Sequence, residues 1–196
     1  PDLVRPSMYV VLVSGVPLAH AIQHQEIDLA GASVVLAAVE IAPSSLIGRE
    51  RVLSKAPMPL QDQYDYIFID TPPSLGLLTI NALTASDAVI VPVQPSALDI
   101  EASVRFLESL GRHPRVRKGK LRVGLVGNRL KPNTNAAQQA MDVLRAWPFP
   151  LVAQLRDSQA YVVLTGLGRS LFDYHSQQVR DHQQDWQPLL KWLKRA

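Results

Sequence analysis

Two short apolar runs, residues 66–69 and 88–93, constrain the fold more than any other feature of the sequence. Each run is apolar at consecutive rather than alternate positions, which is typical of strands buried on both faces of a parallel sheet. The first run ends at a carboxylate, Asp70, which two prolines follow closely. Because open α/β sheets bind their ligands at the carboxyl ends of the strands, the pattern predicts Asp70 at a ligand-binding edge.

Strand-like and helix-like segments continue to alternate along the rest of the chain. The periodicity predicts further strands at 121–128 and 149–153, and helices at 75–84, 99–110, 134–147 and 176–194, the last kinked at Pro188. This alternation predicts an α/β fold with a doubly wound, mostly parallel sheet and helices on both faces. No linker or internal repeat divides the sequence, so we expect one domain over residues 1–196.

The first 60 residues give a weaker pattern. Residues 8–13 fit either a short buried strand or a buried helical turn. Between Leu18 and Leu60 the spacing predicts broken helices, the second near residues 46–55. The apolar positions on which the first of these helices rests are Ile27, Leu29, Ala30, Val34, Val35, Ala38 and Val39.

Composition excludes several classes of site. The chain has no cysteine, so disulfides, thiolate metal sites and cysteine nucleophiles are excluded, and its five histidines lack zinc-ligand spacing with acidic partners. No run of about 18 apolar residues is present, and the sequence predicts a cytoplasmic protein. The formal net charge of +3 mildly favours anionic partners.

Asp70 allows two interpretations from the residues alone. A carboxylate at a strand end can hold Mg²⁺, directly or through water, or order the attacking water of phosphoryl transfer. It can also be an ordinary helix N-cap that closes a strand-to-helix turn. The two prolines fix φ in the following loop, so that the loop can move as a stiff unit, and they favour the catalytic interpretation.

Residues 64–87, which contain Asp70 and both prolines, resemble the ParA/Soj branch of the ParA–MinD family of deviant-Walker P-loop ATPases. Residues 88–98 and 26–32 continue the match, which extends from residue 8 to residue 190 and is weaker after Leu110. The resemblance implies ATP/ADP and Mg²⁺ as cofactors, slow ATP hydrolysis and a nucleotide-dependent homodimer. It also implies non-specific DNA binding on the nucleoid and a ParB-like or cargo-adaptor protein that stimulates hydrolysis. Such proteins partition or position plasmids, chromosomes and other cargo.

The resemblance also implies roles for individual residues. Asp70 would be the catalytic and Mg²⁺-binding carboxylate, and the switch loop would comprise Thr71, Pro72, Pro73, Ser74 and Gly76. The nucleotide-binding residues would be Asn128, Arg129, Arg156 and Asp157. Asn128 at a strand end can both donate to and accept from a base edge. Residues 155–161 and 166–172 resemble the family's nucleotide-flanking loop. The alternatives left open are a turn asparagine at 128 and, for this loop, a helix that ends in a glycine cap.

The family's phosphate loop, Lys-Gly-Gly-x-Gly-Lys-Thr, does not occur in the sequence. Its backbone amides and lysines would hold the phosphates, so we expect the chain as given to be inactive by itself. We expect the N-terminal phosphate-loop portion to be absent from this chain, the alternative being a non-catalytic scaffold that kept the fold.

A basic segment, residues 112–122, is the candidate DNA-binding region. It contains Arg112, Arg115, Arg117, Lys118, Lys120 and Arg122, with Lys191, Lys194 and Arg195 as an extension. Such a run can contact DNA phosphates without reading sequence, and it can equally be a solvated loop.

The terminal helix carries an apolar stripe at i, i+3, i+4 and i+7, formed by Trp186, Leu189, Leu190 and Leu193. A stripe flanked by lysines suits a membrane-surface helix of a MinD-like membrane-cycling ATPase. It also suits a helix docked on the sheet, which is the interpretation that the sequence favours, and we expect no membrane partner.

Overall fold

The computed structural model forms two compact units, residues 1–86 and 87–196, and each is described by itself. The residues that the structure describes are 7–33, 36, 49–56, 58–72, 74–131 and 134–194. The expectation of one domain over residues 1–196 stays a prediction.

The first unit is built from short elements. They are α1 (Met8–Ser14), a 3₁₀ turn (Leu18–Ala21), β1 (Ile22–Gln23), β2 (Leu29–Ala30), a 3₁₀ turn (Arg49–Arg51), α2 (Val52–Lys55), a 3₁₀ turn (Met58–Gln63) and α3 (Leu77–Ala85). Asn81 on α3 is buried and holds α2, because its Oδ1 accepts from the Leu53 amide at 3.1 Å. Its Nδ2 donates to the Leu77 carbonyl at 3.0 Å.

The ambiguous run at residues 8–13 is a helix. It ends at Gly15, whose φ of 69° lies in the left-handed region and whose amide donates to the Val10 carbonyl. The helix predicted through Ile27, Leu29 and Ala30 is wrong, because Leu29 and Ala30 pair with β1 in an antiparallel hairpin. The remaining positions of that prediction, from Val34 to residue 48 apart from residue 36, lie outside the described residues.

The turn of this hairpin is closed by side-chain hydrogen bonds to one carboxylate. Asp28 Oδ1 accepts from the Gln25 amide, and Asp28 Oδ2 lies 3.0 Å from His24 Nδ1. The Tyr64 hydroxyl donates to the same Oδ2 at 2.6 Å. The contacts of Asp28 with His24 and Gln25 are local and favour a turn over a helix, while the bond from Tyr64 comes from 36 residues away; the apolar spacing reveals neither.

The strand predicted at residues 66–70, the first apolar run together with Asp70, is wrong. These residues are extended, but no described segment pairs with them, and a strand requires a ladder partner. The side chains of residues 66–68 are correspondingly exposed, Phe68 to 78%, and the rings of Tyr66 and Phe68 stack 6.3 Å apart.

The second unit contains a parallel sheet with helices between its strands. Its elements are β3 (Ala88–Val93), α4 (Ala97–Arg112), α5 (Pro114–Arg117), β4 (Arg122–Leu130), α6 (Asn135–Ala146), β5 (Leu151–Arg156), α7 (Gln159–Gly166), a 3₁₀ turn (Leu171–Asp173) and α8 (Gln177–Leu193). The strand order is β3-β4-β5, both pairs are parallel, and Ala88 opposes Arg122. The predicted α/β fold is confirmed, and the strands and helices predicted from residue 75 onward agree within a few residues.

The central strand, β4, is covered on both faces. Alternate residues face opposite sides, so Gly124 and Val126 face α8, where a Cβ at Gly124 would lie 3.1 Å from Trp192. Gly127 faces the other side, where a Cβ would lie 2.8 Å from Met141 of α6. Helices therefore cover both faces, as the consecutive apolar residues of this strand predict.

Helix α8 packs its apolar stripe on the sheet. Leu189 is buried with Val126, Ala153 and Leu155, and Trp186, Trp192 and Leu193 pack against this cluster. The docking interpretation of the stripe is confirmed. The helix runs through Pro188. Within the described part of the chain, no helix is both long enough and apolar enough to cross a membrane.

Candidate functional site

Three helices of the second unit begin at the carboxyl edge of its sheet. Ser96 after β3, Thr134 after β4 and Ser158 after β5 each accept a hydrogen bond from a first-turn amide of the helix that follows, at 3.1, 3.2 and 3.2 Å. Short polar side chains favour this position because they satisfy amides that have no partner within the helix. The positive ends of the three helix dipoles therefore lie at the same edge of the sheet.

A cleft of about 390 Å³ opens at this edge. It is lined by Gln94, Pro95, Ser96, Arg129, Lys131, Thr134, Ala137 and Asp157. The lining combines two cations, a carboxylate, an amide and two hydroxyls, so that a ligand would meet both donors and acceptors. This is the edge where a doubly wound sheet binds its ligands.

The end of β4 forms a tight corner in the cleft. Arg129 has a φ of 54°, in the left-handed region that few residues other than glycine adopt. The corner is held by the Asn128 side chain, whose Oδ1 accepts from the Arg129 amide at 3.0 Å. The turn interpretation of Asn128 is therefore correct for its oxygen, while no described residue accepts from its NH₂ group.

Asp157 joins the ends of β4 and β5. Its amide donates to the Leu130 carbonyl at 2.8 Å, and its Oδ1 accepts from Arg129 Nε at 3.4 Å. The Arg129 side chain is 63% exposed, so this ion pair contributes little to stability. Breaking this ion pair therefore costs little free energy, so that Arg129 and Asp157 can each contact a ligand instead.

Arg156 does not line the cleft. Its Nε and Nη2 donate to the two carboxylate oxygens of Asp185 on α8, at 2.6 and 2.8 Å, and its amide donates to the same carboxylate at 3.3 Å. The hydrogen bonds to Asp185 raise the pKa of Arg156 above its ordinary value. Of the four predicted nucleotide-binding residues, three lie together at the carboxyl edge, and Arg156 is engaged by the terminal helix.

The loop that follows Asp70 is tied to α3 within the first unit. Thr79 is buried, and its hydroxyl donates to the Ser74 carbonyl at 2.5 Å, with the Pro72 carbonyl 3.4 Å away. Asp70 itself is exposed, and Pro73 lies outside the described residues. The roles predicted for Asp70, Thr71, Ser74 and Gly76 stay predictions.

The basic segment lies at the opposite, amino edge of the sheet. It comprises the end of α4, all of α5, a turn at Lys118–Gly119 and the start of β4. The guanidinium of Arg122 lies 4.5 Å from the centroid of the Trp192 ring, and its Nη1 donates to the Trp192 carbonyl at 3.0 Å. This contact brings Lys191 and Lys194 beside the segment, while Arg122 itself is held in the fold.

The remaining side chains of the basic segment differ in exposure. Arg112, Arg117, Lys118 and Lys120 are exposed, and Arg115 is partly buried with its Nη2 donating to the Lys120 carbonyl at 3.4 Å. Burial, and then the charge of Arg115, lower the pKa of His113 below its ordinary value. The role of the basic segment in binding DNA stays a prediction.

Several residues of these sites were missed by the sequence analysis, among them Gln94, Lys131, Thr79 and Asp185. Gln94 and Lys131 directly follow strands, and a search of every strand end for polar residues would have found them. Thr79 and Asp185 act through contacts that no short sequence pattern records. Across the described residues, no group of three or more His, Asp or Glu side chains could hold a metal ion.

Comparison with known proteins identifies relatives over much of the chain. The family model described as an AAA domain matches residues 2–122. The sequence is 40% identical over 110 residues to the sporulation initiation inhibitor protein Soj of Bacillus subtilis, covering 55% of this chain and 44% of Soj. It is 29% identical over 150 residues to the chromosome partitioning protein ParA of Myxococcus xanthus, covering 74% of this chain and 53% of that protein. The chain thus spans about half the length of these curated relatives.

Solved structures resemble most of the chain. A plasmid partition protein of Borrelia burgdorferi matches with a TM-score of 0.71 at 20% identity, covering 97% of this chain and 72% of that one, a likeness that shows the fold alone. The cobyrinic acid a,c-diamide synthase of Mycobacterium smegmatis, solved with an ATP analogue and magnesium, matches with a TM-score of 0.69 at 28% identity. That match covers 81% of this chain and 67% of the synthase.

Proposed function

The chain belongs to the AAA-domain family of ParA/Soj-type P-loop ATPases, and on that premise we propose that it belongs to an ATPase that partitions or positions DNA or other cargo. Within that ATPase, the carboxyl-edge cleft of the second unit would bind the base end of ATP or ADP. The phosphate-binding loop is not among these 196 residues, so the chain by itself would hold the nucleotide weakly and release no phosphate.

The composition of the cleft is the observation that carries this proposal. Its volume of about 390 Å³ is within the range of ligand sites, which is roughly 300–1,000 Å³. The Gln94 side chain in the cleft can donate to and accept from a purine edge, and Asp157 can accept from an exocyclic amine or a ribose hydroxyl. The NH₂ group of Asn128, which directly precedes the lining residue Arg129, would donate to the same base. Lys131 would face the more negative end of the ligand.

Magnesium would be held by Asp70. Mg²⁺ is usually bound by one or two carboxylates together with substrate phosphates and water, so a single exposed carboxylate at a loop fits that habit. When bound, the ion would neutralise charge on the transferred phosphoryl group. The Thr79 hydroxyl would hold the loop behind Asp70 through the Ser74 carbonyl.

A pair of matched glutamine variants tests nucleotide binding. Gln94→Ala, in the cleft, is expected to weaken binding of a fluorescent ADP analogue by roughly five- to tenfold, the loss of one or two hydrogen bonds. Gln154→Ala, at an exposed position of β5 outside the cleft, should leave the affinity unchanged. Equal affinities for the two variants would exclude the cleft as the nucleotide site.

The second part of the proposal is non-specific DNA binding by the basic segment. The exposed cations at 112, 117, 118 and 120 would form a positive surface at the amino edge together with Lys191 and Lys194, since Trp192, between these two lysines, contacts Arg122 of the basic segment. The nine residues of β4 separate this surface from the cleft by roughly 27 Å, so DNA and nucleotide would not compete for space.

Salt dependence tests the DNA proposal. Lys118→Ala combined with Lys120→Ala is expected to reduce the slope of log affinity against log salt by about 1.8, because each lost phosphate contact removes about 0.9. The control combines Arg105→Ala with Arg145→Ala, which removes the same charge from exposed positions elsewhere. Equal slopes for the two double variants would mean that DNA affinity depends on the net charge of the chain and not on the basic segment.

The remaining elements of the proposal come from the family. The protein would act in the cytoplasm, on the nucleoid, as a nucleotide-dependent homodimer whose hydrolysis a ParB-like or cargo-adaptor protein stimulates. Steady phosphate release by this chain alone, lost in Asp70→Ala, would contradict the proposed inactivity.

A further inference from the structure

The second unit contains another cavity, of about 230 Å³, between α7, the 3₁₀ turn Leu171–Asp173 and α8. It shares no lining residue with the carboxyl-edge cleft. Its floor is formed by lining residues that are buried or half-buried, namely Tyr161, Leu164, Leu171 and Trp186. Its rim is formed by exposed lining residues, namely Thr165, Arg169, Ser170 and Phe172. We name this site the α7–α8 cavity.

The floor of the α7–α8 cavity is held in place by contacts behind it. Trp186 Nε1 donates to the Tyr161 hydroxyl at 2.9 Å, which ties the two aromatic rings together. Gln183 Nε2 donates to the Leu171 carbonyl at 2.7 Å, and Leu171 itself is buried. The apolar floor is therefore formed before any ligand arrives, which lowers the cost of binding.

A tight turn places Arg169 on the rim. Gly168 has a φ of 64°, in the left-handed region that favours glycine, and the Arg169 amide donates to the Leu164 carbonyl at 2.8 Å. Directly afterwards, a capping box between Ser170 and Asp173 closes the next turn. The backbone of Arg169 is thus fixed beside the floor, while its side chain stays exposed.

The polar groups of the cavity are hydrogen-bond donors without acceptors. Among the described residues no carboxylate pairs with Arg169, and none lines the cavity. The neighbouring Asp173 carboxylate already accepts from the Ser170 amide at 2.7 Å. Burial raises the pKa of Tyr161, so its hydroxyl stays protonated, and no described residue accepts that proton.

This arrangement selects the chemical class of a ligand. The apolar floor fits a ring or a short alkyl chain, and the planar guanidinium of Arg169 fits a carboxylate, which it can bind through two parallel hydrogen bonds. A cationic ligand would meet Arg169 without any acidic group in the lining. A dianion such as phosphate would find only one cation there.

We propose that the α7–α8 cavity binds a small apolar monocarboxylic acid, whose carboxylate pairs with Arg169 and whose apolar body lies on the floor. The volume is below the roughly 300–1,000 Å³ of sites for drug-sized ligands, so the ligand is about the size of phenylacetate. The site goes beyond the proposed function, because it involves neither the nucleotide nor the cleft.

Titration with phenylacetate, followed by ¹H–¹⁵N NMR, tests the proposal. The indole N–H resonance of Trp186 is expected to shift with a dissociation constant of about 10⁻⁴ to 10⁻³ M, which ligands of this size reach. The indole resonances of Trp147 and Trp192, which do not line the cavity, should not shift. Phenylacetamide has the same shape without the charge and should bind about tenfold more weakly, since it lacks the charge-assisted hydrogen bonds.

A variant of Arg169 separates recognition of the carboxylate from the packing of the cavity. Arg169→Gln should weaken phenylacetate binding about tenfold and phenylacetamide binding less than about twofold, because only the acid uses the charge. The control is Arg105→Gln on α4, which removes the same charge from an exposed position outside the cavity and should change neither affinity.

The proposal is overturned if the Trp186 resonance does not shift up to roughly 20 mM phenylacetate. Equal losses of both ligands in Arg169→Gln would overturn it too. Saturating adenosine should leave phenylacetate affinity unchanged, and competition between them would contradict a separate site. A failure of adenosine to bind would concern the nucleotide proposal alone, so the two proposals can fail independently.

Discussion

Replacing Asp185 with Asn is expected to lower the free energy of unfolding of the second unit by about 1–2 kcal/mol. The carboxylate accepts three hydrogen bonds from Arg156, at 2.6, 2.8 and 3.3 Å, and its side chain is only 13% exposed. Hydrogen bonds to charged groups contribute about 1.5–3 kcal/mol. The Arg156 side chain is 38% exposed, so water recovers part of that loss, which gives the lower range.

Tryptophan fluorescence during urea unfolding measures this effect. All three tryptophans, Trp147, Trp186 and Trp192, lie in the second unit, and Trp186 is next to Asp185. The midpoint should fall with an unchanged m value, since the surface exposed on unfolding stays the same. The matched control is Asp142→Asn, whose pair with Arg145 is exposed on both sides and whose loss should cost less than about 0.5 kcal/mol.

The same variant tests whether Arg156 binds the nucleotide directly, as predicted from the sequence, or only anchors α8. We expect Asp185→Asn to leave ADP-analogue affinity within about twofold of wild type, because Arg156 is turned toward α8 and away from the cleft. Unchanged stability together with a marked change in affinity would refute the reasoning and restore Arg156 as a direct nucleotide ligand.

Three further predictions concern packing and protonation. Gly124→Ala should lower the free energy of unfolding by about 1–3 kcal/mol, because its Cβ would lie 3.0 Å from Val152 and 3.1 Å from Trp192. Gly111→Ala in α4, which meets only Phe149 at 3.7 Å, should raise it by about 0.5–1 kcal/mol. The Tyr64 hydroxyl bond is the largest cause that holds the pKa of Asp28 below its ordinary value, so Tyr64→Phe should raise that pKa in an NMR titration. The stabilisation from this bond is present above the ordinary pKa of an aspartate and is lost as the pH falls through the lower folded value.

The second unit was predictable because its signals are local. Val123 to Gly127 read as a buried strand, and Ser96, Thr134 and Ser158 precede helices as N-caps. A strand buried on both faces must be apolar at consecutive positions, and the first amides of a helix need an acceptor. Both requirements are met by neighbouring residues, so the sequence shows them without knowledge of distant contacts.

The errors lie where a distant partner decides the outcome. Residues 66–69 have the composition of a buried strand, but strand formation depends on a neighbour that composition cannot supply. Leu29 and Ala30 fit helical spacing, yet the carboxylate of Asp28 closes a hairpin turn beside them. For residues 155–161 and 166–172 the alternative of a glycine-capped helix is confirmed, since α7 lies between them, Gly168 has a φ of 64° and the Arg169 amide donates to the Leu164 carbonyl at 2.8 Å.

The candidate site was predicted only in part, because strand ends can be located from the sequence but contacts with distant residues cannot. Asn128, Arg129 and Asp157 stand at strand ends, and parallel topology brings such ends together. Arg156 also stands at a strand end, but its partner Asp185 is 29 residues away, beyond any local pattern.

The most direct test of the account is a map of adenosine binding by ¹H–¹⁵N NMR on the chain itself. Adenosine carries the base and ribose without phosphates, so it probes the cleft independently of the phosphate loop. We expect shifts confined to Gln94–Ser96, Asn128–Lys131 and Asp157, which include the side-chain amides of Gln94 and Asn128, and weaker shifts with guanosine. Shifts centred elsewhere, or none at saturating adenosine, would contradict the assignment of the carboxyl-edge cleft as the nucleotide site.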